Sequence, residues 1–259
     1  MHIRNGADHR MIRVTTEQYP EYIPWAERCN ANRVFPMSVA QGYQTGDIFT
    51  DDISSPRTVL FWHYCGFAYI VGEITDSILE ELITDIAPLI DRRMVLITDS
   101  EDSVRYFTER YFELGKRIEY GHSGEIPDAS SDPDIVIAPV GEDNIDLITG
   151  KIVPSFSWER SDFLLKGSGY AAFCGGKYCG VAFSSAVSSS EVDIGVEVDP
   201  SYRGRGIATA LCARMVREIS SQGRKPVWAH GEANTGSRNT AVKCGFIEEK
   251  INSFIMIKQ

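Results

Sequence analysis

Residues 192–223 read VDIGVEVDPSYRGRGIATALCARMVREISSQG. Val192, Ile194, Val196 and Val198 alternate with Asp193, Gly195, Glu197 and Asp199, the period-two pattern of a strand, and Pro200 stops it. Gly204 and Gly206 then open a segment in which Ala208, Cys212, Met215, Val216 and Ile219 recur at helical spacing, with Gly223 where a C-terminal cap belongs. Strand, tight Gly/Arg loop and helix form the unit that decides the fold. The first turn of a helix leaves backbone N–H groups without partners and carries the positive end of the helix dipole, so it attracts phosphate. Gly204 and Gly206 lack the Cβ atoms that would hold an anion off the backbone, and Arg203 and Arg205 add charged donors.

Spacing separates three kinds of phosphate loop. A P-loop needs Lys-Ser or Lys-Thr after its last glycine, whereas Gly206 is followed by Ile207 and Ala208. A dinucleotide fingerprint needs Gly or Ala at the third place, where Thr209 stands, and a long βαβ domain after it. Arg203-x-x-Gly206-x-Ala208 after a strand instead resembles the (Q/R)xxGx(G/A) signature of the GCN5-related N-acetyltransferase (GNAT) superfamily. Asn234-x-x-Ser237, followed by Ala241-x-Lys243-Cys244-Gly245-Phe246, is similar to that superfamily's second cofactor helix and closing Gly-Phe turn. Length and the segment CGFAYIVG at 65–72 further resemble the larger bacterial acetyltransferases typified by the zwittermicin A resistance protein.

The resemblance implies an α/β (mixed α+β) GNAT fold with a twisted mixed sheet, and acetyl-CoA as co-substrate with no metal. The cofactor is expected where the central strand and the strand at Val227 part. Its pantetheine amides would pair with backbone at Val196 and Val198, and its pyrophosphate with N–H groups of Arg203, Gly204, Arg205, Gly206, Ile207 and Ala208. Asn234 and Ser237 would reach its far arm, although Asn234 also reads as the cap of its own helix. The reaction implied is direct attack of an amine on the thioester in a ternary complex. An alkylammonium must first lose its proton, at a cost of about 4 to 5 kcal/mol at neutral pH. Asp193 and Glu191 are the catalytic candidates for base, either being also readable as a solvated strand carboxylate. Glu197 shares their nominal face unless a bulge near Gly195 changes the alternation. The Val196 N–H is a candidate oxyanion donor. Many members carry a tyrosine where Ala241 stands, so the usual general acid is missing; His230 reads as titrating or structural. Two other classes stay open: a non-catalytic acyl-CoA-binding module, and a protein or peptide N-acetyltransferase.

At 259 residues and 43% hydrophobic, the chain can bury a substantial core. Its net charge of −10 argues against nucleic acid as a partner. Residues 201–259 nevertheless hold ten Lys/Arg against four Glu, a balance of +6, which leaves −16 in residues 1–200. The basic part thus coincides with the site expected for a polyanion, and the acidic remainder favours a small cationic amine. No apolar run is long enough for a membrane span or placed as a signal peptide, and the six cysteines lack metal spacing, so a cytoplasmic protein is expected.

Two domains are expected, 131–259 as the catalytic domain and 1–130 as a companion, either a degenerate copy of it or a domain packed against it. The first half runs strand pair (58–72, turning at Gly66), helix (74–90), strand (94–97) and helix (104–114, ended by Gly115), the order of the second half without the Arg-x-x-Gly loop. Residues 19–39 read as a short helix and loop, 121–133 as the linker, and 184–190 as a serine-rich loop. His63 and the aromatics around it read as core.

Overall fold

A computed structural model describes residues 10–125 and 132–258. Its elements run β1 (Ile12–Arg13), α1 (Ile23–Glu27), α2 (Val34–Ala40), β2 (Gly46–Thr50), β3 (Thr58–His63), β4 (Phe67–Gly72), α3 (Asp76–Glu81), β5 (Met94–Thr98), α4 (Glu101–Glu109) and β6 (Glu113–His122). The second half continues with β7 (Ile135–Pro139), α5 (Arg160–Lys166), β8 (Gly169–Cys174), β9 (Lys177–Val187), β10 (Glu191–Val198), α6 (Ile207–Ser221), β11 (Lys225–Gly231), α7 (Thr235–Lys243) and β12 (Phe246–Lys258). All these strands join one mixed sheet in the order β1-β2-β3-β4-β5-β12-β6-β11-β10-β9-β8-β7.

That order is a palindrome. Exchanging β1–β6 with β7–β12 reproduces it read backwards, so the two halves are related by a pseudo-twofold through the β6–β12 pair. Each half has a parallel pair at the corresponding place, β4 with β5 and β10 with β11. β6 pairs with β11 of the second half, and β12 pairs with β5 of the first. The expected boundary at 130/131 lies outside the described residues.

The alternation of the strands divides the core by face. Val59, Phe61, Tyr69 and Val71 meet α1 and α2, while Leu60, Trp62, Ala68 and Ile70 meet α3 and α4. Large side chains such as Trp62, Phe35 and Phe107 are fully buried, each stabilising by roughly 1.5–3 kcal/mol. In the second half Val192 and Ile194 pack with Leu211, Met215 and Ile219 of α6. Ala186 of β9 belongs to the α1–α2 core, so the first half's helices also cover part of the second half's sheet. Gly66 turns β3 into β4 at φ +91°, where a Cβ would lie 2.2 Å from Cγ of Arg93.

Five segments differ from the sequence reading. The helix expected over 74–90 is α3, then a wider π turn at Leu82–Ile86 and a 3-10 turn at Ala87–Leu89, where Pro88 has no N–H to continue the ladder. The helix expected to end at Gly115 stops after Glu109, with Tyr111 at φ +60°. Gly115 is already in β6, where a Cβ would meet the ring of Phe254 at 2.2 Å. Part of the serine run is strand, since β9 continues to Val187, and residues 19–39 hold two helices rather than one. The expected linker begins two residues late because β6 reaches His122.

Because β6 and β12 complete the sheet in each other's half, residues 1–125 or 132–259 expressed alone should give no cooperative thermal transition. Co-expressed, they should reassociate into one sharply melting complex. A half that melts sharply by itself in calorimetry would contradict this reading of the seam.

Candidate active site

The loop before α6 is built to leave its helix open. Asp199 accepts from the Ser201 N–H at 2.8 Å and fixes a 3-10 turn at Pro200–Tyr202. Gly204 and Gly206 then adopt φ +81° and +77°, a region that disfavours residues with a Cβ. Gly206 is the N-cap residue of α6, so no side chain caps the first-turn N–H groups at Ile207 and Ala208. The corresponding helix of the first half is closed: the Thr75 hydroxyl accepts from the Ile78 N–H, and Asp76 puts a negative charge in the first turn. Of these two helices, α6 presents the anion site. These features fit the phosphates of acetyl-CoA.

The two loop arginines diverge. Arg203 reaches the Val198 carbonyl at 3.4 Å from an exposed position. Arg205 is turned into an ion pair with Asp132 at 2.8 Å and donates to Cys174 Sγ at 3.4 Å, which ties the loop to the start of the second half. That pairing holds the Asp132 carboxyl below its ordinary range, after the larger effect of the Asp134 N–H.

Beside this loop the sheet opens. β10 and β11 pair only at Glu191↔Lys225, Val192↔Pro226 and Asp193↔Val227. Beyond Asp193, β10 stays with β9 to Val198 while β11 stays with β6 to Gly231. Val196 and Val198 therefore stand on a strand edge with no neighbour on the β11 side, able to accept an extended amide chain. A bulge falls between Asp193 and Ile194, where β9 skips Ser185. Across the opening, Asn234 caps α7 by accepting from the Ser237 N–H at 3.0 Å, and the Ser237 hydroxyl accepts from Trp228 Nε1 at 3.0 Å.

Asp193 lies at the apex of this opening, on the face away from α6, and is 3% exposed. Burial pushes its carboxyl up to about 7, Glu119 reinforcing the shift while Arg117 and a Ser185 hydrogen bond oppose it. Its Oδ1 has no hydrogen-bond partner. A carboxyl poised near neutral pH is suited to general-base work. Glu191 is instead held by Arg33 of the first half at 3.2 Å. Glu197 accepts the N–H groups of Lys151 (at 2.9 Å) and Ile152, folding the loop beneath it.

His230 has both ring nitrogens occupied. Nδ1 donates to the Gly231 carbonyl at 2.8 Å, which leaves Nε2 to accept from the Tyr120 hydroxyl at 3.0 Å. Ala241 is fully buried in the same core as Tyr120 and Cys244. His63 is core, 1% exposed and depressed to about 3 by burial, with Nδ1 accepting from the Cys65 N–H. Arg117 and Glu119, which the sequence reading missed, come from β6. Their register with Gly231 and Ala229 puts them on the Asp193 face. Among the described residues no group of three or more His, Cys, Asp or Glu could hold a metal, and no helix is long and apolar enough to cross a membrane.

A family model for the GNAT acetyltransferases matches residues 28–253, across both halves. The chain belongs to the GNAT acetyltransferase family. Among solved structures, this acetyltransferase is similar to a GCN5-related N-acetyltransferase-like protein from Streptococcus suis, with TM-score 0.72 and 17% identity over 93% of this chain and 100% of that one. A Drosophila protein matches with TM-score 0.66 and 13% identity, covering 95% of this chain and 98% of that chain. A tandem GNAT protein from the clavulanic acid biosynthesis pathway matches with TM-score 0.61 and 10% identity, covering 95% and 97%. At these identities the likeness is one of fold. No curated protein sequence matches the chain.

The environment of Asp193 has a consequence for stability. With its folded value near 7 against an ordinary 3.8, its contribution is fully present below about pH 4 and is lost as pH rises through 7. The loss is on the order of 4 kcal/mol. Denaturant melts of Asp193→Asn should lack this decline between about pH 4 and 7; wild-type and variant curves of equal slope would contradict the assignment.

Proposed function

We propose that this GNAT protein transfers acetyl from acetyl-CoA to the amine of a small molecule by direct attack in a ternary complex, without a covalent enzyme intermediate. The observation that carries the reading is the uncapped N-terminus of α6 beside a sheet that opens at Asp193. When bound, acetyl-CoA supplies an activated thioester. The N–H groups of Gly206, Ile207 and Ala208 hold its phosphates, with Arg203 nearby, and the free edge at Val196 and Val198 orients the pantetheine arm. Asn234 and Ser237 line the far side.

Asp193 takes one ammonium proton, the N–C bond forms and the thioester C–S bond breaks, and the second proton lost from nitrogen passes to the departing thiolate. Much of the acceleration comes from holding the two reactants together. The departing thiol resembles cysteine, with a pKa of about 8.5, so it leaves as thiolate without a tyrosine at position 241. The Val196 N–H serves as the oxyanion donor. The narrower likeness to the zwittermicin A resistance acetyltransferases is part of this proposal, as are a cytoplasmic setting and the absence of nucleic-acid or membrane partners.

Thiol titration of CoA release across a panel of amines tests the proposal. Wild type should show amine-stimulated release, and Gly206→Trp should lose both release and acetyl-CoA binding. Asp193→Asn should lower kcat/KM by about 10² to 10⁴ with acetyl-CoA affinity unchanged. Acetyl-CoA binding without turnover of any amine would favour the binding-module class instead.

A further inference from the structure

The proposed base is sealed, yet an opening begins beside it. Glu191, two residues before Asp193 on β10, and Val227, the partner of Asp193 on β11, both line a pocket of about 190 Å³. The first half supplies much of its wall, with Glu27 from the end of α1, Asn32 and Arg33 from the α1–α2 connection and Glu119 from β6. Two buried polar atoms at its margin lack partners: the side-chain amide nitrogen of pocket-lining Asn32, which is 5% exposed, and Oδ1 of Asp193, which lies behind the wall as the strand partner of pocket-lining Val227. Unmade hydrogen bonds at buried groups destabilise a structure unless a ligand completes them.

The acidic groups of the pocket are not equivalent. Glu191 is tied to Arg33 at 3.2 Å, and Glu249 to Lys225 at 3.0 Å. Glu119 is oriented by neutral donors, the Asn252 side-chain amide at 2.5 Å and the Asn32 backbone N–H. It shares the sheet face of Asp193. A volume of about 190 Å³ falls below the roughly 300–1,000 Å³ of sites that enclose drug-sized ligands, which suits a compact ligand or a single small group.

We propose that this seam pocket binds the acceptor, a compact primary amine that arrives as an ammonium and carries an oxygen able to accept from Asn32, and that Glu119 holds the ammonium beside Asp193. This rests on the reading of Asp193 as base. The acceptor site is then composite: the second half binds the acetyl donor and the first half selects the amine. The groups facing Asp193 are Arg117 and Glu119 of β6, Ser185 of β9 and Cys65 of the β3–β4 turn. Facing Glu119 are Arg117, Lys250, Asn252 and Asn32, together with Asp193 and the buried Cys29. Because the Glu119 charge raises the Asp193 pKa, neutralising Glu119 moves the acidic limb of the kcat/KM profile to lower pH.

The test uses the full chain with n-butylamine and its hydroxyl-terminated analogue. Wild type should prefer the hydroxylated amine by about tenfold, roughly one charge-free hydrogen bond, and Asn32→Ala should remove the preference. Glu119→Gln should raise the amine KM about tenfold, leave acetyl-CoA affinity unchanged and shift the acidic limb downward. If Glu119→Gln does not fold, Val227→Phe fills the pocket from its floor and should raise the amine KM alone. An unchanged amine KM and an unmoved acidic limb, with Asp193→Asn still inactive, would overturn the pocket assignment. A fully active Asp193→Asn would instead overturn the base on which it rests.

Discussion

Between Phe246↔His122 and Met256↔Glu113, β6 and β12 pair antiparallel down the middle of the sheet, and each also completes the strand set of the opposite half. Two incomplete sheets thereby become one, and the short strands β1 and β7 are left at its edges, where little backbone is offered to other chains. The site depends directly on this exchange. Arg117 and Glu119 reach the Asp193 face because β6, a first-half strand, is hydrogen-bonded to β11 of the second half.

The pseudo-twofold supplies an internal control for what the chemistry needs. Both halves have a parallel strand pair that parts after a few residues, followed by a helix. In the first half the last paired residue of β4 is Ala68, and the helix behind it is capped by Thr75 and carries Asp76. In the second half the last paired residue is Asp193, and the helix starts uncapped from Gly206. The frame is shared, and a carboxyl at the apex with an open helix dipole is confined to one copy. The first copy closes its own α3–α4 side with Leu79, Leu82, Tyr106 and Phe107 and lends its other face to the seam.

Much of this was legible from residues alone. The alternation at 192–198, the glycines at 204 and 206 and the spacing of the α6 residues identify the loop, and helix α7 begins and ends where its cap and Gly245 indicate. The order of elements in the first half also suggested a second copy. What stayed hidden was β6. Its sequence ELGKRIEYGH places Glu113, Arg117 and Glu119 on one face of an interior strand, where a hydrophobic alternation would ordinarily be sought. The charged residues that disguised the strand are the ones that build the site. Likewise, the separation of Asp193 from Glu191 depends on Arg33, more than 150 positions away, and the engagement of Arg205 depends on Asp132; long-range pairing of this kind leaves no local pattern.

The central claim is that of two copies of one fold, the second alone binds the acetyl donor. Hydrogen–deuterium exchange with and without acetyl-CoA addresses it most directly. Added protection should fall on residues 195–210 and 228–238, with none at the equivalent first-half segment 69–82. Protection of both segments, or of 69–82 alone, would contradict the assignment.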